Sequence, residues 1–130
     1  MAQEKIASEL GVAFIKKNFK TTAKPKEIVD FIQRQNKNSK VTSMMIQHPV
    51  PRGMDIQVFL NAIDPVKDAE GIHPRNAGNI LWGQGTIGPC TPLAVMECIK
   101  AADIDLYGKE AVIIGHSRVV GKPLALLLLK

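Results

Sequence analysis

Apolar residues recur along this chain with two different periods, and the two periods alternate. Apolar positions spaced three and four residues apart predict helices over residues 2–10, 25–36, 54–63 and 91–104, and from about residue 120 onward. β-branched runs bounded by turn residues predict strands over residues 12–19, 41–47 and 110–115. This alternation predicts an α/β fold class with a mostly parallel sheet.

The stretches between these elements divide the predicted fold into two units. Residues 64–90 are rich in glycine, proline and asparagine, which predicts mostly loop. After them, the predicted strand 110–115, a turn and a helix open a new βα unit. We therefore expect a first parallel-sheet unit over residues 1–104 and the beginning of a second unit over residues 105–130.

The net charge of +5 changes this picture little. Much of the excess positive charge lies between Lys16 and Lys40, and a basic stretch of this kind occurs in nucleic-acid-binding proteins. Aromatic residues make up only 5% of the chain, which argues against a surface that stacks on bases. A solvated helix-and-loop surface is the preferred interpretation, and an acidic small ligand is the alternative.

Other classes of protein are disfavoured on simple grounds. No apolar run approaches the roughly 20 residues of a membrane helix, and residues 1–15 mix charges with apolar side chains, unlike a signal peptide. Cys90 and Cys98 form no CxxC pair, and with three histidines they do not make up a metal site. Two reduced thiols suit the cytoplasm, or the mitochondrial matrix.

The first chemical motif is IQHPVP, residues 46–51. Two prolines end the predicted strand abruptly and leave Gln47 at a rigid strand tip, where α/β proteins place ligand contacts. The alternative is a tight loop in which Gln47 is merely exposed.

The second motif is KDAEGIHPRNAG, residues 67–78, which crowds charged residues before a glycine. An acid at the mouth of a pocket can hydrogen-bond an amino-pyrimidine ring through a paired donor–acceptor contact. Asp68 and Glu70 are the candidates for this contact. The alternative is a surface loop with solvated charges.

Two further motifs lie at predicted helix starts. In PCTP, residues 89–92, we expect Thr91 to cap a helix that has Pro92 in its first position. In GHSRVVGKP, residues 115–123, glycines and a serine at a strand-to-helix turn can let backbone N–H groups approach phosphates. This second run is not the GxGxxG fingerprint of dinucleotide-binding proteins.

Taken in order, these motifs resemble those of the methylenetetrahydrofolate dehydrogenase/methenyltetrahydrofolate cyclohydrolase family. That family has a QLPLP-like run, a KDVDG motif and a G-R-S-x-x-V-G-x-P turn at the corresponding places. The resemblance implies a folate-binding unit followed by the start of a Rossmann-type unit that binds NADP or NAD. The implied site residues are Gln47, Asp68, Glu70 and Pro89 at the folate, and Gly115, His116, Ser117 and Gly121 at the cofactor.

Two substitutions distinguish this chain from the family pattern. His116 stands where NADP-using members have an arginine, and a mostly neutral histidine makes no bidentate contact, so the choice between NADP and NAD stays open. Counting back from Gly11, the family's acid–base lysine falls at Gln3, and an amide cannot transfer protons as a tuned amine does. Lys5 is the remaining candidate for a catalytic role, together with Gln47 and Glu70.

The resemblance implies oxidation of 5,10-methylenetetrahydrofolate by a nicotinamide cofactor, and hydrolysis of 5,10-methenyltetrahydrofolate to 10-formyltetrahydrofolate. It also implies a homodimer. The alternative is a chain without catalysis, shortened at both ends, that binds folate weakly or pairs with a full-length relative. The family's Tyr-x-x-x-Lys motif and its later cofactor-domain strands have no counterpart among these residues, which keeps this alternative open.

Overall fold

The computed structural model describes residues 2–84 and 87–129, and the regular secondary structure in that part is helical, with loops between the helices. The helices are α1 (Ala2–Glu9), α2 (Pro25–Lys37), α3 (Ile56–Ala62), α4 (Pro74–Leu81), α5 (Cys90–Ala101) and α6 (Gly121–Leu128). A 3-10 turn, Pro65–Lys67, follows α3. None of these helices is long and apolar enough to span a bilayer.

The five helices predicted from apolar periodicity are confirmed, with ends displaced by up to three residues. Helix α2 shows why the pattern succeeds. Pro25 occupies its first turn, where a missing N–H costs nothing, and Arg34 and Lys37 lie in the last turn, where they offset the helix dipole. Ile32 is buried on its inner face.

Helix α4 is an element that the prediction of mostly loop over residues 64–90 did not include, although most of the described residues there are outside helices; residues 85–86 lie outside the described part. His73 caps the helix, because its Nδ1 accepts the Arg75 N–H at 3.0 Å, and Pro74 takes the first position. Asn76 and Ile80 are buried. Packing of α4 against α6 outweighs the low helix propensity of the asparagines and the glycine within it.

The three predicted strands, 12–19, 41–47 and 110–115, do not form in the described residues, and the predicted parallel sheet is not confirmed. One isolated parallel bridge joins Met44 to Asp68. Met44 N–H donates to the Lys67 carbonyl at 2.7 Å, and Ala69 N–H donates to the Met44 carbonyl at 3.0 Å. Strands need ladder partners, and this bridge supplies a partner for only one residue of each segment.

The apolar core lies between α2 and α3, where Ile32, Phe59 and Ile63 are buried. Phe19 meets the Phe31 ring edge-on at 5.6 Å at the margin of this core. The C-terminal part is packed differently, because α6 contacts α5 and α4 through half-buried leucines. The core therefore forms in the part of the chain that carries Gln47 and Asp68.

Candidate functional site

Asp68 organises the loop that follows the 3-10 turn. Its carboxylate is 5% exposed and accepts four hydrogen bonds. Oδ1 accepts the N–H groups of Glu70 (3.2 Å) and Gly71 (3.1 Å), and Oδ2 accepts the His73 N–H (2.8 Å) and Asn76 Nδ2 (3.0 Å). The substrate contact predicted for Asp68 stays a prediction, and in the structure both of its oxygens hold the loop.

Lys67 attaches this loop to the end of α2. Its Nζ donates to the carbonyl oxygens of Gln35 (3.1 Å), Asn36 (2.8 Å) and Asn38 (2.8 Å). These carbonyls lie at a helix C-terminus, where they lack intrahelical donors and where a cation is favourable. The ammonium of Lys67 thus supports the fold at this point.

Glu70 is the acidic residue of the loop that keeps binding capacity. Its Oε2 is buried and has no hydrogen-bond partner among the described residues. The next residue, Gly71, has a φ of +66°, and a Cβ there would overlap the backbone of Gly88. A buried carboxylate oxygen without a donor is costly, so the loop presents an acceptor that a ligand N–H can satisfy.

Gln47 lies beside helix α1. Its Nε2 donates to Gln3 Oε1 at 3.1 Å and lies 3.9 Å from Met45 Sδ. Sequence comparison with the family motif had put Gln3 at the acid–base lysine's position, but it had not revealed that Gln3 meets Gln47. The contact between two residues 44 positions apart became visible only in three dimensions.

The side chain of Lys5 is directed toward Glu9, and Gln3 is the α1 residue that contacts Gln47. Its Nζ lies 3.8 Å from Glu9 Oε1, and its side chain is 80% exposed. Two residues along a helix turn a side chain to a different face, so Gln3 and Lys5 do not share a surface. The structure therefore gives no support to Lys5 as the acid–base group.

The start of α5 differs from the prediction. The helix begins at Cys90, so Thr91 lies inside it and does not cap it. Pro89 occupies the cap position and is almost fully buried, which leaves its ring little surface for the substrate contact predicted for it. Cys90 Sγ lies 3.6 Å from the Ala69 carbonyl and 3.9 Å from that of Glu70, so α5 begins against the Glu70 loop.

The turn before α6 brings the predicted cofactor residues together. Gly115 has a φ of +115°, and a Cβ on Gly121 would overlap the carbonyl oxygen of Gly115. Ser117 Oγ accepts the Val120 N–H at 3.0 Å, which leaves its hydroxyl hydrogen free to donate. Gly115, Ser117 and Gly121 line a mainly apolar groove of about 480 Å³ between α5 and α6.

His116 is exposed on this turn, and it is not among the residues that line the groove. Within residues 2–84 and 87–129, no three histidine, cysteine, aspartate or glutamate side chains are grouped so that they could hold a metal ion. The candidate groups described above are amides, the carboxylates of Asp68 and Glu70, and the glycine-flanked turn.

A helical chain with a carboxylate-organised loop and a glycine-flanked turn before its last helix matches the fold of folate-dependent dehydrogenases among solved structures. The bifunctional enzyme FolD, methylenetetrahydrofolate dehydrogenase/cyclohydrolase, from Campylobacter jejuni superimposes with a TM-score of 0.92 at 36% identity. That match covers 98% of this chain and 46% of the enzyme. The Trypanosoma brucei enzyme, whose structure was solved with NADP and an inhibitor, superimposes with a TM-score of 0.88 at 28% identity. That match covers 98% of this chain and 43% of the enzyme.

Sequence comparison gives the same family. The catalytic domain of tetrahydrofolate dehydrogenase/cyclohydrolase matches residues 1–70, and the NAD(P)-binding domain of that family matches residues 89–130. The chain belongs to the tetrahydrofolate dehydrogenase/cyclohydrolase family. The predicted boundary between residues 104 and 105 is not decided by these matches, which leave residues 71–88 unassigned.

Individual relatives agree with this assignment. The bifunctional protein FolD of Acetivibrio thermocellus is 38% identical over 128 residues, covering 98% of this chain and 45% of the relative. The FolD of Staphylococcus aureus strain Newman is 40% identical over 129 residues, covering 99% and 45% respectively. The chain thus spans less than half the length of these curated relatives.

Proposed function

We propose that this chain takes part in the one-carbon chemistry of its family. The reactions are NAD(P)-dependent oxidation of 5,10-methylenetetrahydrofolate and hydrolysis of 5,10-methenyltetrahydrofolate to 10-formyltetrahydrofolate. The observation that carries this proposal is the buried Oε2 of Glu70, which has no hydrogen-bond partner in the part of the chain that the structure describes. Glu70 lies in the motif that corresponds to the family's KDVDG.

Glu70 suits the recognition of a pterin. The amino-pyrimidine ring presents adjacent N–H donors, and a carboxylate accepts such a pair with charge-assisted hydrogen bonds. Gln47 supplies the second contact, since its amide is exposed at the end of segment 41–47 and already faces α1. The bridge between Met44 and Asp68 ties the segment of Gln47 to the loop of Glu70.

The turn at residues 115–121 suits the phosphates of a dinucleotide. Gly115 is exposed and leaves its backbone accessible, and the Ser117 hydroxyl has a hydrogen to donate to a phosphate oxygen. The bound cofactor would accept the hydride in the oxidation step. Exposed His116 and Arg118 are the side chains beside the turn that can distinguish NADP from NAD.

A second function, folate binding without turnover, is favoured by one observation. Gln3 stands at the position of the family's acid–base lysine, and its amide oxygen accepts a hydrogen bond from Gln47. An amide neither gains nor loses a proton near neutral pH, so this contact cannot supply general acid–base catalysis. In that case the chain binds reduced folate and works as a partner of a second copy or of a longer relative.

Folate binding and turnover are tested separately. The affinity of the purified chain for 5-formyltetrahydrofolate, measured by calorimetry, should fall about ten- to a hundredfold in Glu70→Ala, because a charged acceptor is lost. Glu97→Ala, an exposed carboxylate on α5, is the matched control and should bind as the unchanged chain does. An unchanged affinity in Glu70→Ala would remove Glu70 from the folate site.

Turnover distinguishes the two functions. Formation of NADH or NADPH from 5,10-methylenetetrahydrofolate by the unchanged chain would establish the dehydrogenase. Binding without turnover, followed by activity in Gln3→Lys, would establish that the missing amine alone limits catalysis. Sedimentation of the chain with and without folate reports whether it forms the homodimer that its family resemblance implies.

A further inference from the structure

Asp68 and Asn76 form a buried, hydrogen-bonded polar pair in the Glu70 loop. Asn76 is 4% exposed. Its Nδ2 donates to Asp68 Oδ2 at 3.0 Å and to the Pro65 carbonyl at 2.9 Å, which uses both amide hydrogens. Asp68 accepts three backbone N–H groups besides Asn76. A buried carboxylate that accepts four hydrogen bonds is the arrangement expected of a group that sets the shape of a loop.

The pair acts on the backbone of Glu70. The Glu70 N–H donates to Asp68 Oδ1 at 3.2 Å, and the Gly71 N–H donates to the same oxygen at 3.1 Å. On the other side, the Glu70 carbonyl lies 3.9 Å from Cys90 Sγ. Both ends of this residue's backbone therefore have partners, and these contacts set the direction of its Cα–Cβ bond.

Asp68 also holds the segment that carries Gln47. The backbone groups on either side of it, the Lys67 carbonyl and the Ala69 N–H, bond to Met44, three residues before Gln47. The backbone on both sides of this buried aspartate thus connects the segment of Gln47 to the loop of Glu70.

We propose that Asp68 and Asn76 are positioning residues, which aim the Glu70 carboxylate at the folate by holding its backbone. The inference rests on the proposed function, in which Glu70 binds folate. A displacement of about 1 Å is enough to weaken an oriented contact severely. A carboxylate that is already held in place also loses less freedom when the ligand binds.

A double-mutant cycle on the full chain tests this role, with 5-formyltetrahydrofolate as the probe and calorimetry as the measurement. Asn76→Ala should weaken the affinity about tenfold when Glu70 is present. In the Glu70→Ala background the same change should alter the affinity by less than about twofold, because nothing remains to be positioned. Asn79→Ala, on the same helix, is the matched control and should change neither value.

Amide hydrogen exchange gives a readout that does not depend on folate. The Glu70 and Gly71 amides should exchange faster in Asn76→Ala than in Asn79→Ala, since Asp68 loses a partner that holds it. If Asn76→Ala does not fold by circular dichroism, Asn76→Ser, which keeps a donor, is carried through the same cycle.

The outcomes are separable. The positioning role alone would be overturned if Asn76→Ala lowered folate affinity equally with and without Glu70. It would also be overturned if Asn76→Ala lowered the affinity in neither background while Glu70→Ala still did so. An unchanged affinity in Glu70→Ala would overturn the folate assignment and this inference with it. Unchanged exchange at Glu70 and Gly71 would show that Asn76 does not hold the loop, and would also overturn the inference.

Discussion

The Glu70 loop and the turn before α6 are held in opposite ways. The loop rests on a buried carboxylate with four donors and on a lysine that caps α2, beside the packed core of α2 and α3. The turn rests on two glycines and one serine hydroxyl, and it follows a segment in which Val112 is 90% and Ile114 100% exposed. The Glu70 loop therefore has both hydrogen-bonded polar groups and a buried apolar core beside it, whereas the turn before α6 has fewer of both.

This difference predicts which substitutions will lower the stability of the chain and which will not. Removing a group from the first region leaves buried donors or a cavity, and both are costly. Removing an exposed apolar group from the second region removes little burial, because little has formed.

The largest expected contrast is between the core and the exposed segment. Phe59→Ala should lower the free energy of unfolding by about 3–5 kcal/mol, because a fully buried ring is replaced by a cavity. Ile114→Ala, its counterpart in the exposed segment, should change that free energy by less than about 0.5 kcal/mol. Urea unfolding followed by circular dichroism measures both, and similar values for the two variants would contradict the comparison.

The next effect concerns the buried carboxylate. Asp68→Ala should lower the free energy of unfolding by about 3 kcal/mol, since four donors lose their acceptor inside the protein. Thermal unfolding gives the value, and Glu97→Ala is the exposed control with an expected change of less than about 0.5 kcal/mol. If Asp68→Ala lowered the free energy of unfolding no more than Glu97→Ala does, water would be able to accept the four hydrogen bonds in place of the carboxylate.

Gly121 and Gly78 differ in the space around them, so replacing each by alanine should have opposite effects on stability. Gly121→Ala should destabilise the chain by about 1–3 kcal/mol, because the new methyl group meets the Gly115 carbonyl. Gly78→Ala, in α4 with open space around it, should stabilise the chain by about 0.5–1 kcal/mol. Opposite shifts in melting temperature are the expected result, and stabilisation by both variants would mean that the turn at residue 121 is not tightly packed.

The smallest expected effect lies at Ser117. Ser117→Ala removes the acceptor for the Val120 N–H on an exposed turn and should cost about 0.5–1.5 kcal/mol. Its effect on NADP affinity should be larger, because the hydroxyl hydrogen is also lost, and titration by fluorescence measures this. Ser39→Ala, exposed in the loop after α2, is the control. Equal NADP affinity in both variants would place the phosphates elsewhere.

The sequence determined the helices, the family and the residues worth testing. Apolar spacing was sufficient for α2 and α3, because each buries one continuous stripe. The motif around Glu70 predicted an acid for a folate contact, since the order of charged residues and glycine is readable without coordinates. His73 and Pro74 are recognisable signals for the start of α4, but the asparagines that follow them obscured that helix.

Only the tertiary structure decided which polar groups are used up and which remain. Asp68 and Glu70 look equivalent in sequence, yet the Asp68 carboxylate accepts four hydrogen bonds, whereas Glu70 has a buried oxygen with no partner among residues 2–84 and 87–129. Gln3, and not Lys5, meets Gln47 because helical geometry places one residue on the shared face and the other in solvent. The predicted strands failed for a related reason, since pairing depends on partners elsewhere in space, which no local pattern specifies.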